Sequence, residues 1–226
     1  EYLLRFCCGD NIGPGTNSIL QILINILNDE RFDEYSGGSF DGSFDEFFHT
    51  YQMCCICYFE SQCKTLPPVD LIKIAVQSHM SIENYSSDEL TSNIYLLKQI
   101  KNNGSAHLEK THSIHVERTD LQRHGESFAR CLSGMTNLSR ISMSGCSLSG
   151  ITCLIVPHMK QLRCLEYVEL VECQLSGADI QHIAASFSNV STLVLSENQA
   201  LSRSGKFWHD LKEMKNLKNL DTRDCS

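Results

Sequence analysis

The sequence has no basic excess: its 226 residues set 19 Lys and Arg against 27 Asp and Glu, a formal net charge of -8 at pH 7. A nucleic-acid-binding surface needs a basic stripe, so nucleic acid is not an expected partner. Long apolar runs are missing too. The longest, Ile19–Ile24, is interrupted by Gln21 and falls far short of the ~20 residues that a membrane span takes. No signal peptide is visible. The stretch GDNIGPGT from Gly9 is glycine-rich, yet no G-x-x-x-x-G-K-[ST] occurs, so no phosphate loop is present. Neither a G-x-S-x-G elbow nor an H-E-x-x-H helix is found. Catalysis has no foothold, and no enzymatic activity or cofactor is expected of this segment.

Cysteine, by contrast, is plentiful: there are twelve. Cys54, Cys55, Cys57 and Cys63 suggest zinc, but a structural zinc site pairs one C-x2-4-C knuckle with a second, and none follows at suitable spacing. They read as small apolar helix-face residues. His112 and His115 lack a carboxylate or cysteine partner and read as surface histidines on an open strand face. The acidic, glycine-rich loop spanning residues 28–46 lacks the D-x-D-x-D-G order around Asp41 and Asp45, so it reads as a solvated linker and not as a calcium loop. No metal is expected. Four N-x-[ST] sequons, at Asn84, Asn103, Asn137 and Asn189, occur; the last two directly precede expected strands, where a glycan would fit poorly.

The positive signal is a repeat. The frame L-x-x-L-x-L-x-x-(N/C)-x-L is met by Leu138, Ile141, Met143, Cys146 and Leu148, and again 27 residues on by Leu165, Val168, Leu170, Cys173 and Leu175. Val190, Leu193, Leu195 and Asn198 follow after 25, with Leu201 one place late, and Leu217, Leu220, Thr222 and Cys225 after another 27. Stepping back 27 from Leu138 finds a degraded copy in Thr111, Ile114, Val116, Thr119 and Leu121. Asn198 identifies the chemistry of the ninth place. Thr119, Cys146, Cys173, Asn198 and Cys225 share it, and Thr, Cys and Asn are not interchangeable as disulfide partners or soft-metal ligands. All three can donate a hydrogen bond to a carbonyl where the chain leaves a strand. They are expected to form a buried structural ladder.

Between frames the apolar period changes from two towards 3.6. Ile180, Ile183, Ala184 and Phe187 share one helical face, as do Phe207, Leu211 and Met214. Pro157 is expected to break or shorten its unit's helix. Each unit is thus a strand, a turn and a helix, resembling the leucine-rich repeat in its longer, ribonuclease-inhibitor-like variety. The expected fold is α/β, a leucine-rich-repeat solenoid of such units preceded by an α-helical segment. Three regions follow: 1–65, the end of a helical domain; 66–108, a helical and transitional segment; and 109–226, the repeats, ending within one.

In the first region, TNSILQILINILND is apolar on nearly every side, which suggests a buried helix. Ser43 and Glu46 fit a capping box opening a second helix, with Phe47, Tyr51, Cys54 and Tyr58 on its apolar face. Arg5-Phe6-Cys7-Cys8-Gly9, then Cys57-Tyr58-Phe59-Glu60, then YSSDELTSNIYLLKQ (Tyr85 to Gln99) resemble, in that order, the end of the second helical domain and the transitional repeat of NOD-like receptors. These are cytosolic innate-immune sensors in which a nucleotide-binding NACHT domain precedes leucine-rich repeats. The resemblance implies a cytoplasmic fragment with an ATP-binding module upstream, contacted intramolecularly and held inactive by the repeats. It also implies recognition of a microbial protein or partner receptor, and oligomerisation only through domains outside this segment. The alternative is a repeat scaffold or inhibitor outside immunity, such as a ribonuclease-inhibitor-like protein or a ubiquitin-ligase adaptor.

Strand side chains alternate, so the variable positions of the frame face the concave surface. Arg140, Tyr167, Glu169, Glu172, Val194, Glu197 and Asp221 are the residues expected to bind protein there. Tyr167, the one aromatic among them, is the expected anchor.

Overall fold

A computed structural model describes residues 18–34, 43–203 and 207–225. The chain divides into two compact units, one comprising Glu1–Ala75 with Asp88–Gly104 and the other Val76–Ser87 with Ser105–Ser226. The segment 66–108 is therefore shared between the two and is no unit of its own.

The first unit is helical, with α1 (Ser18–Glu34), α2 (Ser43–Glu60), α3 (Val69–Ala75) and α4, which runs Ser87–Gly104. In α1, Leu20, Ile24 and Leu27 are buried, but Ile22 is 58% exposed and Ile26 is exposed as well. The expectation of an all-round buried helix is corrected to a one-sided one: the i, i+4, i+7 residues are covered and the intervening isoleucines are not. The supposed loop 28–46 is helical as far as Glu34 and again from Ser43. The motif at Arg5–Gly9, the intervening loop and the side chains of Ser43, Glu46 and Phe47 lie outside the described residues.

Helix α2 is covered on all sides over Cys54–Tyr58, five consecutive buried residues. Its polar groups meet α4 at Asn93. That buried amide accepts from Tyr51 Oη (2.8 Å) and donates to Gln52 Oε1 (2.8 Å) and to the Glu89 carbonyl (2.9 Å). Buried polar groups need such partners.

The second unit holds a six-stranded sheet, all parallel and paired in chain order: β1 (His79–Glu83), β2 (Ser113–Glu117), β3 (Arg140–Ser144), β4 (Tyr167–Val171), β5 (Thr192–Val194) and β6 (Asn219–Asp221). The fold is α/β. Strand β1 lies in the segment expected to be helical or transitional. Its sequence HMSIE buries only Ile82 fully, so its alternation is too weak to stand out; pairing of His79 with Ser113 identifies it. Helices α5 (Gly125–Leu132), α6 (Thr152–Met159), α7 (Gly177–Ser186) and α8 (Phe207–Leu211) follow β2 to β5 in turn, and each contacts the next. The approach of α5 to α6 is close at Gly125, where a Cβ atom would come within 2.8 Å of Ile155 Cδ1.

Parallel neighbours place equivalent residues side by side, Ile141 with Val168 and Met143 with Leu170, for example. Frame residues Ile114, Val116, Ile141, Met143, Val168, Leu170, Leu193 and Leu195 are buried. Leu220 departs from this at 38% exposure, on the outermost described strand. Pro157 sits inside α6 without breaking it, and α6 has the same eight residues as α5. The expected disruption is absent because the proline comes in the last turn, where a single helical N–H is forfeited and the helix ends two residues later.

Helix α7 begins with a capping box in which the Ser176 side chain accepts from Asp179 N while Asp179 accepts from Ser176 N (2.8 Å). The buried Asp179 carboxylate also accepts from Ser176 Oγ (2.6 Å), and, across to the preceding unit, from Thr152 Oγ1 (2.6 Å) and Gly150 N (3.1 Å). Burial pushes its pKa up, but these hydrogen bonds outweigh burial and hold it below the ordinary value. A carboxylate with a depressed folded pKa contributes stability above its unfolded pKa of about 3.9 and loses that contribution as pH falls through the folded value. Asp179→Asn is therefore expected to be less stable than the parent near neutral pH, with the gap closing in acid. Urea denaturation midpoints of both proteins between about pH 7 and about pH 3 measure this; a constant gap would deny the carboxylate that role.

Candidate functional site: the strand ends and the open sheet face

The ninth place of the frame is occupied by side chains that reach back one unit. Cys146 Sγ donates to the carbonyls of Ser144 (3.5 Å) and Val116 (3.6 Å), and Cys173 Sγ to those of Val171 (3.3 Å) and Met143 (3.4 Å). Asn198 Nδ2 donates to Leu170 O (2.7 Å), Leu195 O (2.8 Å) and Ser196 O (3.2 Å), and Cys225 Sγ to Leu195 O (3.0 Å). Thr119 bonds only within its own unit, to Glu117 O at 2.9 Å. Asn198 does more than the cysteines, because its Oδ1 also accepts from Cys173 N and Leu175 N, each at 3.0 Å. Burial pushes the Cys173 thiol up to about 12 and raises those of Cys146 and Cys225. The thiols stay protonated, as donors must. The ten described cysteines are all free, and among the described residues no three His, Cys, Asp or Glu side chains converge as a metal would need.

Two further ladders escaped the sequence reading. Asn84, Arg118, Gly145, Glu172 and Glu197 all have positive φ, between 46° and 63°. Each donates its backbone N–H to the following unit, to the carbonyls of Glu117, Ser144, Val171, Ser196 and Arg223 respectively. Only one of the five is glycine, so the usual signal for a left-handed residue is missing. Asn137, Asn189 and Asn216 donate to the preceding unit, to Glu109 O (2.8 Å), Arg163 O (3.2 Å) and Ser188 O (2.7 Å). Here a sequence signal existed, an Asn one place before the frame in three units. The side chains of three of the four sequon asparagines are thus engaged in structural contacts, Asn137 and Asn189 here and Asn103 in the helical unit, where it donates to Lys64 O and Gln99 O.

Side chains alternate along the strands, leaving Tyr167, Glu169 and Val171 half-exposed on one face while Val168 and Leu170 are buried on the other. Arg140, the register partner of Tyr167, lays its guanidinium over the ring, 3.9 Å from the centroid. Tyr167 Oη donates to Glu169 Oε2 (2.7 Å), which Arg140 also approaches, Nη2 lying 3.6 Å away. Burial and the bond to Glu169 raise the Tyr167 pKa, partly opposed by Arg140. The three residues form one interlocked patch. The same face carries His115 against Ser142 (Nδ1 to Oγ, 3.1 Å) and Glu117 (Nε2 to Oε2, 3.6 Å). Val194 is half-exposed on β5, and Asp221, on β6, is engaged by Arg223.

Glu172 and Glu197 are corrected. They are not on the strand face: each follows its strand in the left-handed turn, where alternation has ended. With Asp224, Gln174, Gln199 and Ala200 they border a cavity of about 580 Å³ at the strand ends. The structure brings Arg140, Tyr167 and Glu169 together and leaves Glu172 and Glu197 at this separate edge.

No protein-family model matches the sequence, and no curated protein matches it. Among the described residues no helix is long and apolar enough to cross a membrane.

Proposed function

We propose that this chain is a leucine-rich-repeat segment that recognises protein through the open face of its sheet, within a cytosolic receptor of the NOD-like kind. Supporting this most directly is one observation: six parallel strands pair in chain order, and from β2 onward each is followed by a left-handed residue or glycine and then a side-chain donor. In such a solenoid each unit buries its apolar face by stacking on its neighbours. The patch of Arg140, Tyr167 and Glu169 suits an interface anchor, since tyrosine and arginine in a pre-ordered arrangement bury much area at small entropic cost. A thiol ladder requires reduced cysteines, which fits the cytosol. The segment itself carries recognition and an inhibitory contact with an upstream NACHT module; chemistry and oligomerisation belong to that module and its neighbours.

A photo-crosslinking residue at Val194, on the open face, should capture a discrete protein partner from cells expressing the full-length receptor. The same probe at Leu154, exposed on α6, should not. Tyr167→Ala should weaken that capture by about 2 kcal/mol in affinity, at a stability cost of no more than about 1 kcal/mol for the Arg140 and Glu169 contacts it gives up. Capture from Leu154 alone would sink the reading. The coding sequence upstream of Glu1 tests the receptor assignment: a Walker A motif supports it, whereas an F-box or signal peptide there favours a scaffold outside immunity.

A further inference from the structure

The helical unit contains a second, cationic cavity, unrelated to the open sheet face. One wall is a single face of α4: Tyr95, Lys98, Gln99, Asn102 and Asn103 recur at i, i+3, i+4, i+7 and i+8. The other wall is the turn after α2, with Gln62 and Lys64. The space is a groove open to solvent, with a volume of about 370 Å³, near the lower end of the range of small-ligand sites.

The turn is held against the helix before any ligand arrives. Asn103 Nδ2 donates to Lys64 O (3.1 Å), Tyr95 Oη to Cys63 O (2.8 Å) and Tyr58 Oη to Thr65 O (2.7 Å). Gln62 adopts a left-handed conformation (φ 49°), secured by its own amide on Phe59 O (2.8 Å). Tyr95 is fixed by Phe59, whose ring packs edge-on at 5.3 Å between centroids. Such pre-ordering lowers the entropic cost of binding.

The charged groups that line it are cations only, Lys64 and Lys98. Neither Lys64 nor Lys98 is ion-paired among the described residues, and no carboxylate lines the cavity. Gln99 is only 6% exposed. Its Oε1 accepts from Asn103 Nδ2 (3.4 Å), and its amide nitrogen, which has no partner among the described residues, reaches solvent. Asn102 and Asn103 lie in the last turn of α4, where the negative end of the helix dipole opposes an anion, so the attraction rests on the two ammonium groups.

We infer that this cavity binds a small phosphate-bearing molecule, with the phosphate between Lys64 and Lys98, the Gln99 amide as a further donor, and the organic part against Tyr95. Two ammonium groups match the charge of a phosphate, about -1.5 to -2 near neutral pH. A carboxylate would leave one of them uncompensated.

Calorimetric titration of the full 226-residue chain with ribose 5-phosphate, inorganic phosphate and ribose tests the assignment. Saturable binding of ribose 5-phosphate, absent for ribose and weakened by salt, is the expected result. Lys98→Gln should weaken it about tenfold, the loss of one charge-assisted bond, while Lys98→Arg retains binding; both variants should melt as the parent does. Stronger binding of the ester assigns the site to phosphomonoesters, and equal binding assigns it to free phosphate. No saturation by either up to about 10 mM, beyond even weak millimolar affinity, would overturn the inference. So would undiminished binding by the Lys64→Gln, Lys98→Gln double variant.

Discussion

Asn198→Ala is expected to be among the most damaging single changes in the repeat region, costing about 3–5 kcal/mol. The side chain is fully buried at 0% exposure, donates to three carbonyls and accepts from two backbone N–H groups. Truncation leaves the N–H groups of Cys173 and Leu175 buried without acceptors and removes a donor shared between two strands. Each such orphan costs about 1–3 kcal/mol. Asn198→Cys copies the neighbouring units: a thiol can still donate to Leu195 or Leu170, but it cannot replace the two accepted bonds. An intermediate loss is expected. Urea denaturation of the three proteins reads the order directly. If the cysteine variant were as poor as the alanine one, donation at this place would contribute nothing, and the ladder would be incidental to stability.

Leu170→Ala should cost about 2–5 kcal/mol, since Leu170 is buried beside Met143 and its truncation leaves a cavity between packed units. The adjacent Glu169→Ala is the register control. A one-residue slip would exchange the two environments completely. The structure gives Glu169 two partners, Tyr167 and Arg140, that the sequence does not reveal. Its loss is accordingly expected at about 0–1 kcal/mol, the range of partly exposed ion pairs and hydrogen bonds. Equal costs in a denaturation series would mean that the alternation along β4 is wrong.

How far the sequence is legible follows from where the information resides. A period of 27 or 25 residues, with apolar residues every second place, is a property of the chain itself, and it locates β2 to β6. The polar ninth place is equally visible, because the choice among Thr, Cys and Asn narrows its role to donation. Strand β1 falls outside that arithmetic: it stands 34 residues before β2 and buries one side chain fully. It becomes a strand by pairing with its neighbour, an interaction that no local pattern encodes.

The candidate surfaces divide in the same way. That Tyr167 and Glu169 share a face with each other and not with Leu170 is a consequence of strand periodicity, and the sequence by itself determines it. That Arg140, 27 residues earlier, lies over Tyr167 depends on the register between strands. Glu172 and Glu197 leave that face because the backbone turns left-handed after each strand, at residues whose side chains do not announce it. The cationic groove of the helical unit is invisible along the chain, since Lys64 and Lys98 come to line one space only when the turn after α2 is fastened to α4 by Asn103 and Tyr95. Repeat, alternation and donor chemistry are written locally because each is set by neighbours within one unit. Register, left-handed turns and cavities arise from contacts between segments distant in sequence, and there only the tertiary structure decides.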